Sequence, residues 1–202
     1  MEIDMDEQTK ATRNTQTRAR IKQALVELMG EKGFDALTVS DVTRRAGVNR
    51  GTFYLHFVDK YDMLEKLEAD IISQLEQVLL AGDIPGGANC LELFPYDKIL
   101  AALLIVKSDF EFVAAISGHG GDPEFSSKLQ RIIEGLLDAG LSRAGTAIKT
   151  DVFPEAYARE LAISHVLTII DLWLARGGKE TPEDVARMVV AAKDVSPAQL
   201  VG

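Results

Sequence analysis

The 202-residue chain has one cysteine, Cys90, and three histidines, His56, His119 and His165. A single thiol excludes an intrachain disulfide framework and suits a reducing compartment, so a cytoplasmic setting is expected. The histidines are scattered, and neither His-x-x-x-His nor Cys-x-x-Cys spacing occurs, which leaves no recognisable zinc site and no metal or other cofactor to expect. A Gly-x-Ser-x-Gly elbow and a phosphate-binding glycine loop are both missing. Ser117-Gly118-His119-Gly120-Gly121 is rich in glycine but lacks the lysine and spacing of a nucleotide loop, so it reads as a connection between helices. Catalysis therefore has no supporting pattern, and an enzyme is not expected. Long apolar runs are absent too. The longest, Ile99 to Val106, falls well short of the roughly 20 residues that span a bilayer, and the acidic start Met1 to Glu7 has no apolar stretch to serve as a secretory signal. No strand-like alternation and no internal repeat appears.

What remains is a helical pattern with enough apolar residues, 47%, for a sizeable core. Residues 1–12 read as a flexible acidic and polar tail. A first helix is expected from about Thr15 to Lys32, with Ile21, Ala24, Leu25, Leu28 and Met29 on one stripe and Gly33 as its stop. A long helix starts with Asp59 as cap and carries Tyr61, Leu64, Leu67, Ile71, Leu75 and Val78 at spacings of three and four. Gly82 to Gly87, with Pro85, reads as a loop. Further helices are expected at Tyr96 to Val106, Phe110 to Ser117, Pro123 to Arg143, Pro154 to Arg176 and Pro182 to Lys193. Asp122-Pro123 and Thr181-Pro182 each place a capping residue before proline at the first helical position.

The most informative stretch is Thr38 to Lys60. Thr38 and Asp41 form a capping box, and Gly47 supplies a left-handed turn between two short helices. Val39, Val42, Ala46, Val48 and Phe53 are spaced to face one another and fix the angle between those helices. Arg44, Arg45, Asn49, Arg50, Thr52, Tyr54 and His56 are left outside. This is a helix-turn-helix whose second helix would enter a major groove of duplex DNA around Arg50, Gly51 and Thr52. The formal net charge of −9 hides an uneven distribution. Gln8 to Asp62 holds ten Lys and Arg against six Asp and Glu, while Met63 to Gly202 holds 12 against 21. The basic segment is the one with the motif, as phosphate contact requires.

Gly51-Thr52-Phe53-Tyr54-Leu55-His56-Phe57 followed by Asp59-Lys60-Tyr61-Asp62-Met63-Leu64 resembles the DNA-binding domain of the TetR family of bacterial regulators. The resemblance covers about the first third of the chain. It implies an all-α fold with a three-helix DNA-binding domain at 13–58, joined by a long helix to a helical effector-binding and dimerisation domain at 59–202. It also implies DNA contacts from Thr38, Ser40, Asn49, Arg50, Gly51, Thr52, Tyr54, His56 and Lys60. Each has a plainer reading: Thr38, Ser40 and Thr52 as caps, Tyr54 as a core aromatic, His56 as a surface residue closing its helix. Lys60 is a cation at a helix start, electrostatically misplaced unless an anion lies nearby, which favours phosphate. Arg50 is the best candidate to read a base, since guanidinium pairs bidentately with guanine.

The rest of the chain is read more coarsely. Leu161, His165, Thr168, Leu172 and Arg176 fall on one helical face, and Met188 lies on the next helix; the resemblance implies that these helices pair with their copies in a homodimer. Such dimers read two half-sites roughly 34 Å apart, or a multiple of that. The plainer reading packs the stripe on its own core. Phe110, Phe112, Phe125 and Trp173 are the candidate lining of a small-molecule effector pocket. The expected function is a dimeric, ligand-responsive regulator that represses by binding a palindromic operator. A ligand-independent organiser or activator of the same fold stays open, as does a helical binding protein or enzyme with a vestigial head.

Overall fold

The protein is described here by a computed structural model covering residues 3–80, 94–118, 121–148 and 152–192. Among these residues it is all helical, with α1 Ile3–Ala36, α2 Val39–Ala46, α3 Arg50–Tyr54, α4 Lys60–Leu80, α5 Tyr96–Ser108, α6 Phe110–Ser117, α7 Pro123–Ala144, α8 Glu155–Ala175 and α9 Pro182–Ala191. The Gly82 to Gly87 loop, Cys90, His119 and Lys193 lie outside the described residues.

Two compact units emerge: residues 1–70 with 115–122, and residues 71–114 with 123–202. The division falls inside α4. The reason is local, because the first turns of α4 are tied into the head: Arg18 on α1 bonds the Asp70 carboxylate at 2.6 Å and the Lys66 carbonyl at 3.2 Å.

The head is built from the stripe read in the sequence. Ile21, Ala24, Leu25, Leu28 and Met29 of α1 are buried together with Leu37, Val42, Ala46, Phe53, Phe57, Met63, Leu64 and Leu67. α1 differs from expectation at its start: the helix runs from Ile3, through most of the residues expected to form a tail. Gly33 does break it, with φ +74 and ψ 164 inside the span. Along α4, Tyr61 is exposed and Leu79 is buried in place of Val78.

In the second unit α5 and α8 both pack on α9, and α7 packs on α8. Thr181 caps α9 by accepting from the Asp184 amide at 3.1 Å, with Pro182 at the first helical position as the sequence indicated. The turn from α8 into α9 is locked by one cation. Lys107 at the end of α5 donates to the Gly178 carbonyl at 3.0 Å and lies over the rings of Phe110 and Trp173. Those rings meet edge to face at 5.4 Å, and the Trp173 indole N–H donates to the Glu180 carbonyl at 3.0 Å.

Candidate nucleic-acid interface

The site starts from a capping box. The Thr38 hydroxyl accepts from the Asp41 amide at 3.2 Å, and Asp41 Oδ2 accepts from both the amide and the hydroxyl of Thr38, at 3.0 and 2.8 Å. Lys32 at 2.7 Å adds a fourth bond to this cluster and Arg44 at 2.7 Å a fifth. The Lys32 and Thr38 bonds hold the Asp41 carboxyl well below the usual range. α2 ends at Gly47 with φ +63, and the Val48 amide closes back on the Thr43 carbonyl at 3.0 Å. A Cβ at Gly47 would sit 2.7 Å from Arg20 Nη2, which itself donates to the Gly47 carbonyl at 2.9 Å. The turn thus needs glycine for its backbone, while the Arg20 guanidinium, at the end of a flexible side chain, can shift aside.

α3 is too short to persist unaided and is fixed at both ends. Asn49 Oδ1 accepts from the Thr52 amide at 2.6 Å. At the other end, Phe53 and Phe57 are buried with ring centres 5.5 Å apart. With Phe53 fixed inward, helical geometry turns Gly51, Tyr54 and Leu55 away from the core. The Tyr54 ring stands edge-on to Phe53 at 5.6 Å and is more than half exposed. Arg50 is exposed and meets no carboxylate or carbonyl among the described residues. Ser40 on α2 is exposed, and Thr52 and His56 are half-buried.

Two expected contacts are already committed within the protein. Thr38 spends its hydroxyl on the cap. Lys60 is the larger departure: its ammonium donates to the carbonyls of Phe34 at 3.2 Å, Asp35 at 2.8 Å and Leu37 at 3.2 Å, and it lies over the Phe34 and Tyr61 rings at 5.0 and 5.1 Å. The anionic partner that its place at a helix start called for is the carbonyl-rich end of α1, so phosphate is not needed to explain it. Asn49 is committed only through its oxygen, which leaves the amide N–H groups to donate.

Other cations follow the same rule. Arg18, Arg20, Lys32, Arg44, Arg45 and Lys66 all have partners in the head; Arg45 bonds Glu27 at 2.9 Å and Glu31 at 2.8 Å, and Lys66 bonds Asp62 at 3.0 Å. Leu55 was not singled out by sequence reasoning, yet at 84% exposure it is the most open large apolar side chain of those described. The signal was available in its distance of two residues from the inward Phe53.

In the second unit a cavity of about 40 Å³ is lined by Leu75, Leu79, Leu103, Val106, Ile133 and Leu174, among other aliphatic residues. None of Phe110, Phe112, Phe125 and Trp173 lines it, which corrects the expected aromatic lining. Phe112 and Phe125 are buried as packing, and Phe110 and Trp173 form the cage around Lys107. On α8, Leu161, Thr168 and Leu172 are exposed, His165 is half-buried against Phe94, and Arg176 pairs with Glu180; Met188 of α9 is exposed.

A model of bacterial regulatory proteins of the tetR family matches residues 21–67. The chain is 24% identical over 191 residues to the HTH-type transcriptional regulator YxbF of Bacillus subtilis (strain 168), a match that covers 94% of this chain but 47% of that protein. It is 22% identical over 182 residues to the HTH-type transcriptional repressor KstR2 of Rhodococcus jostii (strain RHA1), covering 86% of this chain and 87% of the relative. Among solved structures, a TetR transcriptional regulator from Streptococcus agalactiae 2603V superposes with a TM-score of 0.59 at 21% identity, over 92% of this chain and 98% of that one.

Proposed function

We propose that this chain, whose residues 21–67 match the model of bacterial regulatory proteins of the tetR family, is a transcriptional regulator and not an enzyme, and that it acts as a dimeric, effector-responsive repressor in the cytoplasm. The observation that carries the DNA-reading part is the uncovered side of α3, where Arg50 is exposed and uncommitted and Tyr54, four residues on, is more than half exposed. Arg50 pairs with a base edge, the Asn49 amide N–H groups reach a second acceptor, and Ser40, Thr52, Tyr54 and His56 fix register on phosphates. Gly51 lets the α3 backbone approach the duplex. Thr38 and Lys60 act behind this surface by holding α2 and the end of α1 in place.

Dimerisation is supported by α8. It buries Ile163, Val166, Trp173 and Leu174 on one side and exposes Tyr157, Leu161 and Leu172 on another. A helix apolar on both sides needs a second covering surface, and a copy of itself supplies one for two half-sites. No helix among the described residues is long and apolar enough to cross a membrane.

Effector response is supported by the cavity. At about 40 Å³ it has room for roughly three water-sized groups and is lined by aliphatic side chains, so an apolar effector must open it to enter. Such a ligand binds the open form better than the closed one, and that difference is what shifts the populations. Leu75 and Leu79 line the cavity and belong to α4, whose first turns belong to the head, so one helix carries the change. Repression follows the reading of KstR2 as a repressor and the occlusion of a promoter by a bound dimer.

The test is binding of the purified protein to fragments of its own upstream DNA, titrated with salt, beside Arg50→Ala and Tyr54→Ala. Specific binding that weakens steeply with salt and falls in both variants is expected. A folded protein that binds no fragment at low salt would overturn the reading.

A further inference from the structure

We infer that Leu55 is a base-reading residue, one that recognises the C5-methyl group of thymine in the major groove; the inference rests on the DNA-binding reading of α3. The argument begins with Phe53, which is fully buried and fixes the rotation of α3 about its axis. At about 100° per residue, Leu55 lies some 200° round from Phe53 and Gly51 some 200° the other way, which puts the two about 40° apart on the side opposite Phe53. These two therefore mark the centre of the outward face, with Tyr54 and Thr52 flanking it. The backbone supports this geometry through the first turn beyond the helix: Leu55 has φ −72 and ψ −21, its amide donates to the Gly51 carbonyl at 3.1 Å, and the His56 and Phe57 amides close on Phe53.

Gly51 and Leu55 thus form a bare spot followed by an isobutyl group at the point of nearest approach to a duplex. Leu55 is 84% exposed in the free protein and gains nothing there, whereas the polar groups around it suit phosphate oxygens and base acceptors. An apolar side chain in the major groove has one specific counterpart among the four base pairs, the thymine methyl. Gly51 removes the side chain that would otherwise hold Leu55 off the bases. Arg50, at the start of α3, would then read guanine while Leu55, just past its end, reads thymine.

The test uses the full chain and duplexes selected by it from random-sequence DNA. In the selected operator each thymine is replaced in turn by deoxyuracil, which keeps its pairing and its O4 acceptor and loses only the methyl group. One or two positions in each half-site are expected to weaken wild-type binding about fourfold, the ratio set by the transfer free energy of one buried methylene. Leu55→Ala should bind those thymine and uracil duplexes alike, with its fold and its salt slope unchanged, because the residue is exposed and touches no phosphate. Uracil without effect on the wild type, or with equal effect on both proteins, would overturn the assignment while leaving DNA recognition standing. Failure to select any sequence would overturn DNA recognition itself, and Leu55 with it.

Discussion

Replacing Lys60 with Met separates two roles that the sequence could not distinguish. The methionine keeps much of the aliphatic stem and removes the ammonium, which donates to three carbonyls at 3.2, 2.8 and 3.2 Å and lies about 5 Å from two aromatic rings. A bond to a charged group contributes roughly 1.5–3 kcal/mol when fully effective, and an exposed cation–π contact roughly 0.5–1 kcal/mol. Two of the three bonds are long and the freed carbonyls regain water, so the net loss is about 2 kcal/mol. Amides near Phe34 to Leu37 should then exchange with solvent about thirtyfold faster than in the wild type, where opening passes through loss of this brace. The salt dependence of DNA binding should keep its slope. A Lys60 bound to phosphate predicts the reverse: a slope smaller by about one for each subunit with unchanged exchange. That result would refute the brace.

Acid should weaken the head through Asp41. Its carboxyl is held well below the usual carboxylate range, about 3.9, by Lys32 and Thr38, so its contribution is complete above that range and fades as pH falls through it toward the depressed folded value; Asp41→Asn should remove this share of the acid lability in unfolding curves between about pH 5 and pH 2. Gly178→Ala should destabilise the second unit by about 2–4 kcal/mol in denaturant titrations, since φ is +63 and the new Cβ would lie 2.6 Å from the Phe110 ring, whereas Gly177→Ala, with open space around it, should cost about 1 kcal/mol. Leu172→Glu should give a helical monomer by sedimentation, because it places a charge on the uncovered face of α8; an unchanged dimer would assign that face to solvent.

The head was legible because its signals are local. The Thr38–Asp41 box and the positive φ of Gly47 each act through bonds to residues three or four away and are where spacing put them, whereas the Asn49 cap of α3, equally local, was not read. The aliphatic stripe of α1 was legible for the same reason. The expected aromatic pocket failed because burial and lining share one sequence signature. Phe112 and Phe125 fill space, Phe110 and Trp173 grip Lys107 across 71 residues from Gly178, and the cavity is left to leucines, isoleucines and valines that no local pattern distinguishes from core. The start of α1 was missed because an acidic, polar run without an apolar stripe carries no sign of its helix.

Charge was the least legible property of all, and it bears on how this head reads DNA. Seven of its cations, Arg18, Arg20, Lys32, Arg44, Arg45, Lys60 and Lys66, have carboxylates or carbonyls as partners. A count of basic residues therefore overstates what is on offer to phosphate. Some exposed pairs, such as Arg44 with Asp41, exchange partners at little cost, since surface ion pairs contribute at most about 1 kcal/mol. Lys60, with three carbonyls, does not. On the proposed reading, affinity would depend on neutral donors such as the Tyr54 hydroxyl and on few ionic contacts, and discrimination on Arg50 at the start of α3 and the outward residues after it. On that reading a head of this kind, in a chain of net charge −9, would gain little on arbitrary DNA from charge alone, which favours specific over non-specific binding.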